Sequence, residues 1–198
     1  MVRVPTRGTP TDDKLDFMSY DPEKHHRRSI RLKGFDYSRS ATYFVTICVE
    51  NRECLFGNIL PDGECENSSD RMLLNDAGKM VSGEWLDLPS RFPSLILDDF
   101  VVMPNHFHGI IAISPESAVN PTLGQIIGAF KSIVTHHYIV GVNTQDWKSF
   151  HKRLWQGNYY EHIIRDNSAL QKIQQYIQNN PLTWQTDSLH PDVKSKFS

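Results

Sequence analysis

The sequence predicts an α+β fold with an antiparallel sheet, and three observations support this class. Short stretches rich in β-branched and aromatic residues alternate with longer stretches whose apolar residues recur at helical spacing. Their order is strand, helix, strand, strand, helix, strand, helix, and a ferredoxin-like sandwich uses that order for its first six elements. The chain has 198 residues, 39% of them hydrophobic, which is enough for one such domain with tails.

The first strand is predicted in the stretch TYFVTICVEN, residues 42–51, because its residues are mostly β-branched or aromatic. An acidic loop containing Pro61 and Gly63 follows it. Apolar residues at near-helical spacing in LLNDAGKMVSGEWLDLP then predict a helix, which either Asn75 or Asp76 caps.

Two further strands are predicted in LILDDFVVMPNHFHGIIAI, joined by a tight turn at Met103-Pro104-Asn105. Side chains two residues apart on a strand point to the same face of the sheet. We therefore expect His106 and His108 to project together and Phe107 to face the opposite layer.

The last three elements are a helix in TLGQIIGAFKSIVTHHYIV, a strand in WQGNYYEHIIRD and a helix in NSALQKIQQYIQNNP. The final helix is expected to begin at a capping box formed by Ser168 and Gln171. Pro181 is expected to end it, because the residue before a proline is pushed out of the α region. Within this helix Tyr176 and Asn180 are four residues apart, so they lie nearly on one face beside the apolar stripe.

Composition indicates a soluble protein organised as one domain. Residues 1–22 are polar and proline-containing and are expected to be a flexible arm, 23–184 form the domain, and 185–198 read as a polar tail. The sequence shows neither a signal peptide nor an apolar run long enough to span a membrane. Three cysteines without C-x-x-C spacing favour a reducing compartment, the cytoplasm.

The charge pattern is compatible with a protein that grips a short nucleic-acid feature. A net charge of −2 argues against non-specific coating of nucleic acid. Basic residues nevertheless cluster in EKHHRRSIRLK and again between Lys131 and Arg153. Ordinary solvated charge explains these runs equally well.

Two imidazoles on one strand face are half of a metal site. If the final helix packs on that face, the Asn180 amide oxygen is a candidate third ligand, with the Tyr176 phenol beside it. Imidazole and amide ligands suit Mg²⁺ or Mn²⁺ better than structural zinc. A metal that polarises a phosphate would let a phenol of pKa near 10 attack it. Half-buried histidines without metal, a tyrosine at the core's edge and an asparagine helix cap are the alternatives.

In their order and spacing, MPNHFHGI, WQGNYYEHIIRD and YIQNNP resemble the REP-associated tyrosine transposases, which are IS200-like, single-tyrosine HUH transposases (U is a hydrophobic residue). The resemblance covers roughly Arg27 to Trp184. It implies a ferredoxin-like catalytic domain that cuts and rejoins single-stranded DNA at or near a hairpin of a repeated palindrome, through a 5′-phosphotyrosine. It allows a homodimer as well as a monomer, in the bacterial cytoplasm and in association with the nucleoid.

The resemblance also assigns roles to residues. It implies that His106, His108 and Asn180 are ligands of Mg²⁺ or Mn²⁺ and that Tyr176 is the nucleophile. Glu161 and His162 belong to a family-typical motif, and we interpret them as residues that support the metal ligands from behind. Tyr159 and Tyr160 are alternative phenols that point to opposite faces of their strand. Candidate DNA contacts are the basic residues Arg27, Arg28, Arg31, Lys33, Lys131 and Arg153.

Two other functions are compatible with the same residues. The first is a domesticated protein that binds DNA hairpins and has lost cleavage. The second is a metal-dependent nuclease that uses water, in which Tyr176 is only structural. The acidic stretch of residues 62–70 would disfavour DNA, so we expect it to lie away from the cleft.

Overall fold

The computed structural model describes residues 41–61, 71–114 and 121–193. In chain order the elements are β1 (Thr42–Cys48), β2 (Gly57–Ile59), β3 (Met72–Leu74), α1 (Asp76–Leu86), α2 (Leu88–Arg91), β4 (Leu95–Val102), β5 (His106–Ile113), α3 (Leu123–Thr144), β6 (Tyr160–Ile164) and α4 (Asn167–Asn179). Short 3₁₀ helices lie at Glu50–Arg52 and Asn180–Thr186. No helix in these ranges is both long and apolar enough to cross a membrane.

The main sheet has four strands in the order β4-β5-β1-β6, and each neighbouring pair is antiparallel. Strand β5 lies between β1 and β4, as in the split βαβ arrangement of a ferredoxin-like sandwich. The predicted α+β class and antiparallel sheet are therefore confirmed. The turn between β4 and β5 also lies where the sequence predicted it, closed by a hydrogen bond from the Met103 amide to the His106 carbonyl of 2.8 Å.

Helices cover both faces of this sheet. One face packs against α1 and α3, where the Phe107 ring lies 4.6 Å from Trp85 and 5.4 Å from Phe130 between centroids. A glycine is required here, because a Cβ on Gly109 would lie 2.7 Å from the Trp85 side chain. The opposite face carries a smaller apolar cluster, formed by Phe44, Ile110, Ile164, Ile173 and Ile177. Since the last two belong to α4, this helix lies on the face opposite to α1 and α3.

One feature of the middle of the chain differs from the sequence prediction, and one alternative that the sequence left open is resolved. Strands β2 and β3 form a separate two-stranded sheet. In sequence, β2 precedes and β3 follows residues 62–70, which lie outside the described residues. Each strand has only three residues, too few for a visible alternation of apolar and polar positions. Helix α1 is capped by Asn75, whose Oδ1 accepts from the Gly78 amide at 2.8 Å.

The start of α4 corrects the predicted capping box of Ser168 and Gln171. Asp166 is the N-cap, and its Oδ1 accepts from the Ala169 amide at 2.8 Å. Ser168 already lies inside the helix, where its side chain is past the capping position. The capping box is found instead at α3, between Thr122 and Gln125.

The end of α4 is only partly as predicted. The α-helix does end at Asn179, two residues before Pro181, but Asn180 keeps helical angles of φ −57° and ψ −42°. The chain continues as a 3₁₀ helix whose first turn contains Pro181. A proline is tolerated in a first turn because its missing N–H has no partner to lose there. Asn180 therefore keeps its place on the face of α4.

Candidate metal centre and adjacent tyrosine

The two histidines of β5 lie on the sheet face that α4 covers. His106 pairs with Cys48 and His108 with Thr46 across β1, and both side chains are buried, at 0% and 2% exposure. Their ring centroids are 4.6 Å apart. As the strand alternation predicted, the rings share one face while Phe107 packs in the opposite layer.

An oxygen atom stands opposite the Nδ1 of each ring. The Oδ1 of Asn105 is 2.8 Å from the Nδ1 of His106, and the Oγ1 of Thr46 is 2.8 Å from the Nδ1 of His108. Oxygen partners of this kind orient an imidazole and leave its other nitrogen for a ligand. Among the residues that the structure describes, the Nε2 of His106 has no hydrogen-bond partner.

Helix α4 brings a phenol to the second imidazole. The hydroxyl of Tyr176 is 3.3 Å from the Nε2 of His108, and the two ring centroids are 5.3 Å apart. The Tyr176 ring also meets Phe44 edge-on at 6.0 Å, because Phe44 is part of the apolar cluster under α4. The expected convergence of this phenol with the imidazoles is therefore present within a single chain.

Asn180 lies one helical turn beyond Tyr176 and is 1% exposed. Neither its Oδ1 nor its Nδ2 has a hydrogen-bond partner within the described part of the chain. Its side chain nevertheless lies close enough to His106 and Tyr176 to affect the pKa of each. A buried amide without a partner costs roughly 1–3 kcal/mol, and a ligand bound at this position would offset that cost.

The sequence did not single out Asp187, which the structure places beside His106. The 3₁₀ helix that follows Asn180 turns the chain back over the histidines, and the Oδ2 of Asp187 ends 3.9 Å from the Nε2 of His106. Its Oδ1 accepts from the Leu189 amide at 2.7 Å. Ligand atoms of His106, His108 and Asp187 all lie within 4.8 Å of one another. No periodic pattern marks this residue, because it follows an irregular turn in a polar stretch.

Burial sets the protonation of the centre. It lowers the pKa of His106, which Asp187 partly offsets, and it holds the pKa of His108 well below its usual range, helped by His106. Both rings are therefore neutral at physiological pH, the form that binds metals. Burial also raises the pKa of Tyr176, with a smaller contribution from Asp187, so the phenol is protonated at rest.

The residues present fit a divalent cation. Within the described residues, the Nε2 of His106 and the amide of buried Asn180 have no hydrogen-bond partner, and the Asp187 carboxylate lies beside the same imidazole. Mixed imidazole nitrogen and carboxylate oxygen donors are ligands that divalent metals take in proteins.

The strand β6 contributes less than the sequence suggested. His162 pairs with Phe44 and so shares the face of the histidine pair, whereas Glu161 pairs with Val45 and lies on the opposite face. The structure therefore does not bring Glu161 to the metal ligands. Tyr160 belongs to the cluster under α4 and Tyr159 to the opposite core, which confirms that only one of them faces the site.

The proposed DNA contacts are only partly described. Lys131 projects from α3, and its Nζ donates to the carbonyls of Gln156 and Gly157 at 2.6 and 3.3 Å. Arg153 lies 3.7 Å from Glu50 and its side chain is 59% exposed. Both cations already have partners in the protein. The remaining candidates lie outside the described residues: Arg27, Arg28, Arg31 and Lys33.

Comparison with known proteins gives three matches: a family model, a related sequence and a solved structure. Residues 93–180 match the family model described as transposase IS200 like, a range that contains the histidine pair, Tyr176 and Asn180 but not Asp187. An uncharacterized protein of Haemophilus influenzae is 39% identical over 194 residues, covering 87% of this chain and 98% of that protein. The fold is similar to that of a REP-associated tyrosine transposase bound to a REP hairpin, with a TM-score of 0.51 and 18% identity, over 79% of this chain and 74% of that one.

Proposed function

Because the chain belongs to the IS200-like transposase family, we propose that it is a metal-dependent enzyme that nicks and rejoins single-stranded DNA through Tyr176. The observation that carries this proposal is the position of the Tyr176 hydroxyl, 3.3 Å from the Nε2 of His108. This contact places the phenol of α4 directly beside the buried histidine pair. Polar atoms of His106 and Asn180 that have no hydrogen-bond partner in the described part of the chain give further support.

In the proposed reaction the Tyr176 oxygen attacks the phosphorus of a phosphodiester. The bond from phosphorus to the 3′ oxygen breaks, the 5′ phosphate becomes joined to the tyrosine, and the phenol proton is passed on to the leaving 3′ oxygen. The phosphotyrosine keeps the energy of the broken bond, so a 3′ hydroxyl can reverse the step and rejoin DNA. Burial raises the pKa of Tyr176, so the phenol is protonated at rest and must give up its proton during the attack.

The residues that would hold the cation are His106 and His108 through Nε2, with oxygen donors from Asn180, Asp187 or both. Bound there, Mg²⁺ or Mn²⁺ would polarise the phosphate and neutralise the charge that develops on it. Helix α4 and the 3₁₀ helix cover these buried side chains and so exclude water from this side of the site.

The proposed partner is a DNA hairpin with single-stranded flanks. The transposase of similar fold was solved with a REP hairpin, which supports the same class of DNA here. Basic residues would supply salt-dependent phosphate contacts. The candidates are Arg153, whose side chain is exposed, together with Arg27, Arg28, Arg31 and Lys33. Tyr176 meets the histidines of its own chain, which supports a site complete in one subunit even if the enzyme forms a homodimer.

A covalent trapping assay tests the proposal. The full chain is incubated with Mn²⁺ and a labelled single-stranded hairpin oligonucleotide, and a denaturant-resistant protein–DNA adduct is expected. Tyr176→Phe should abolish the adduct while retaining Mn²⁺ binding, because the substitution removes only the nucleophilic oxygen. The matched control is Tyr160→Phe, on the same sheet face but at a phenol we do not assign as the nucleophile.

The same assay distinguishes the competing functions. Cleavage without an adduct would indicate a nuclease that uses water. Hairpin retention in a gel without cleavage would indicate a binding protein. Either result contradicts the proposed tyrosine chemistry.

A further inference from the structure

Asn105 is the residue that precedes the histidine pair, and its side chain makes three hydrogen-bonding contacts. It is 1% exposed. Its Nδ2 donates to the main-chain carbonyl of Arg52 at 3.1 Å and to that of Leu189 at 2.8 Å. Its Oδ1 lies 2.8 Å from the Nδ1 of His106.

These contacts fix the orientation of the amide. A main-chain carbonyl can only accept a hydrogen bond, so both contacts to Arg52 and Leu189 require the NH₂ end of the Asn105 side chain. The oxygen end must then face His106, and because an amide oxygen only accepts, the Nδ1 of His106 must carry the proton. In a neutral imidazole the lone pair is then on Nε2.

That lone pair points to the space that the candidate oxygen ligands of a metal also face. The Nε2 of His106 has no hydrogen-bond partner among the described residues, and Oδ2 of Asp187 is 3.9 Å away. His108 differs from His106, because its Nδ1 faces the hydroxyl of Thr46, which can either donate or accept. The pair is therefore asymmetric, with one tautomer dictated by its surroundings and the other left open.

We propose that Asn105 is a positioning residue that holds His106 in its Nδ1–H tautomer and so presents Nε2 to a divalent cation. This inference rests on the proposed function and names a residue on which its metal site depends. The same amide holds the main chain at Leu189, so the carboxylate of Asp187 and the imidazole of His106 are aligned through one side chain. The asparagine of the motif MPNHFHGI thereby has a chemical role besides its suitability for a turn.

The first test is the tautomer of His106 in the metal-free full chain. Long-range ¹H–¹⁵N correlation spectra at neutral pH report which ring nitrogen carries the proton, and His106→Gln identifies the resonances. We expect a protonated Nδ1 and an unprotonated Nε2. Predominance of the Nε2–H form overturns the inference, and this measurement needs no variant of Asn105 to fold.

The second test is Mn²⁺ affinity by titration calorimetry. Asn105→Ala removes the acceptor and is expected to weaken Mn²⁺ binding about 10- to 100-fold, the usual effect of losing a residue that orients a metal ligand. Arg52→Ala is the matched control, because it removes a hydrogen bond from the Arg52 side chain to the Ser188 carbonyl without touching His106. An equal loss in the control would mean that Asn105 acts only by docking this segment, and would overturn the inference.

Asn105→Asp separates stability from tautomer. It keeps an oxygen facing the Nδ1 of His106 but loses the donors to two carbonyls. We expect a lowered unfolding temperature with the Nδ1–H tautomer retained. A switch to Nε2–H in this variant would contradict the proposed role. The trapping assay is read independently: a missing adduct counts against the function, whereas the tautomer alone decides the role of Asn105.

Discussion

At the scale of single residues, the centre depends on which atom each side chain leaves free. Asp187 uses Oδ1 to hold the turn at Leu189 and leaves Oδ2 facing His106. Thr46 and Asn105 occupy the Nδ1 atoms of the two imidazoles. Asp187 and His106 thus each use one polar atom in a hydrogen bond that fixes the side chain and turn the other towards the same space.

The role of Asp187 is tested by Asp187→Asn. The amide keeps an oxygen for the Leu189 N–H but removes the negative charge, and ligand charge is a main determinant of cation affinity. We expect Mn²⁺ binding to weaken about tenfold or more, equivalent to about 1.4 kcal/mol. Asp192→Asn, at a side chain that is 92% exposed, is the control. Unchanged affinity would assign the oxygen donor to Asn180 alone.

Thr46→Val tests the support of His108. The change keeps the side-chain shape but leaves the Nδ1 of a buried imidazole facing a methyl group. An unsatisfied buried group costs about 1–3 kcal/mol, so we expect a lower free energy of unfolding in denaturant titration. Thr42→Val, at the other end of β1, provides the comparison. Equal stability of the two variants would show that the Thr46 hydroxyl does not support the ring.

Sequence periodicity could predict part of this centre. Two-residue alternation was enough to place both imidazoles on one face, and four-residue spacing was enough to align Tyr176 with Asn180. Asp187 and the amide orientation of Asn105 could not be predicted, because both depend on contacts between segments more than 80 residues apart in sequence. Such contacts leave no local pattern.

At the scale of elements, the position of α4 controls the distance between tyrosine and histidine. Its apolar side chains Ile173 and Ile177 pack on Phe44 and Ile110, while Tyr176 lies at the edge of that cluster. The helix has a clear apolar stripe, so its existence was predictable. Its N-cap was not, because Asp166 and Ser168 are both good capping residues and local sequence preference does not select between them.

Ile177→Ala tests the packing of α4. Ile177 is 2% exposed, and truncation of a buried isoleucine typically costs about 2–5 kcal/mol. We expect a lower free energy of unfolding together with a lower yield of protein–DNA adduct, since the neighbouring Tyr176 loses its fixed position. Leu182→Ala, at a residue 45% exposed in the following 3₁₀ helix, should change neither. Full adduct yield in the Ile177 variant would mean that the helix does not set the tyrosine position.

At the scale of the whole molecule, the main sheet carries the large core on one face and the candidate metal centre on the other. Strand β1 pairs with both β5 and β6. Because successive side chains of a strand point to opposite faces, its residues contribute alternately to the large core under α1 and α3 and to the face under α4. The element order alone predicted this topology. The added β2–β3 pair was not predictable, because its strands are too short to show a pattern.

A mixing experiment tests whether one chain carries a complete site. Tyr176→Phe keeps the histidines and His106→Ala keeps the tyrosine, so neither alone should form an adduct. Because Tyr176 meets His108 within one chain, we expect that mixing the two variants does not restore adduct formation. Restored adduct would show that the tyrosine helix is exchanged between subunits.

The 3₁₀ helix of Asn180–Thr186 imposes a length requirement on the chain. Each residue in such a helix advances the backbone by about 2 Å and rotates it by roughly 120°. Inserting or deleting one residue there would swing the Asp187 carboxylate away from the imidazole, whatever residue is used. Substitutions at its exposed positions, such as Leu182 and Gln185, would leave the register intact. In related proteins, the number of residues in this interval should therefore vary less than their identity.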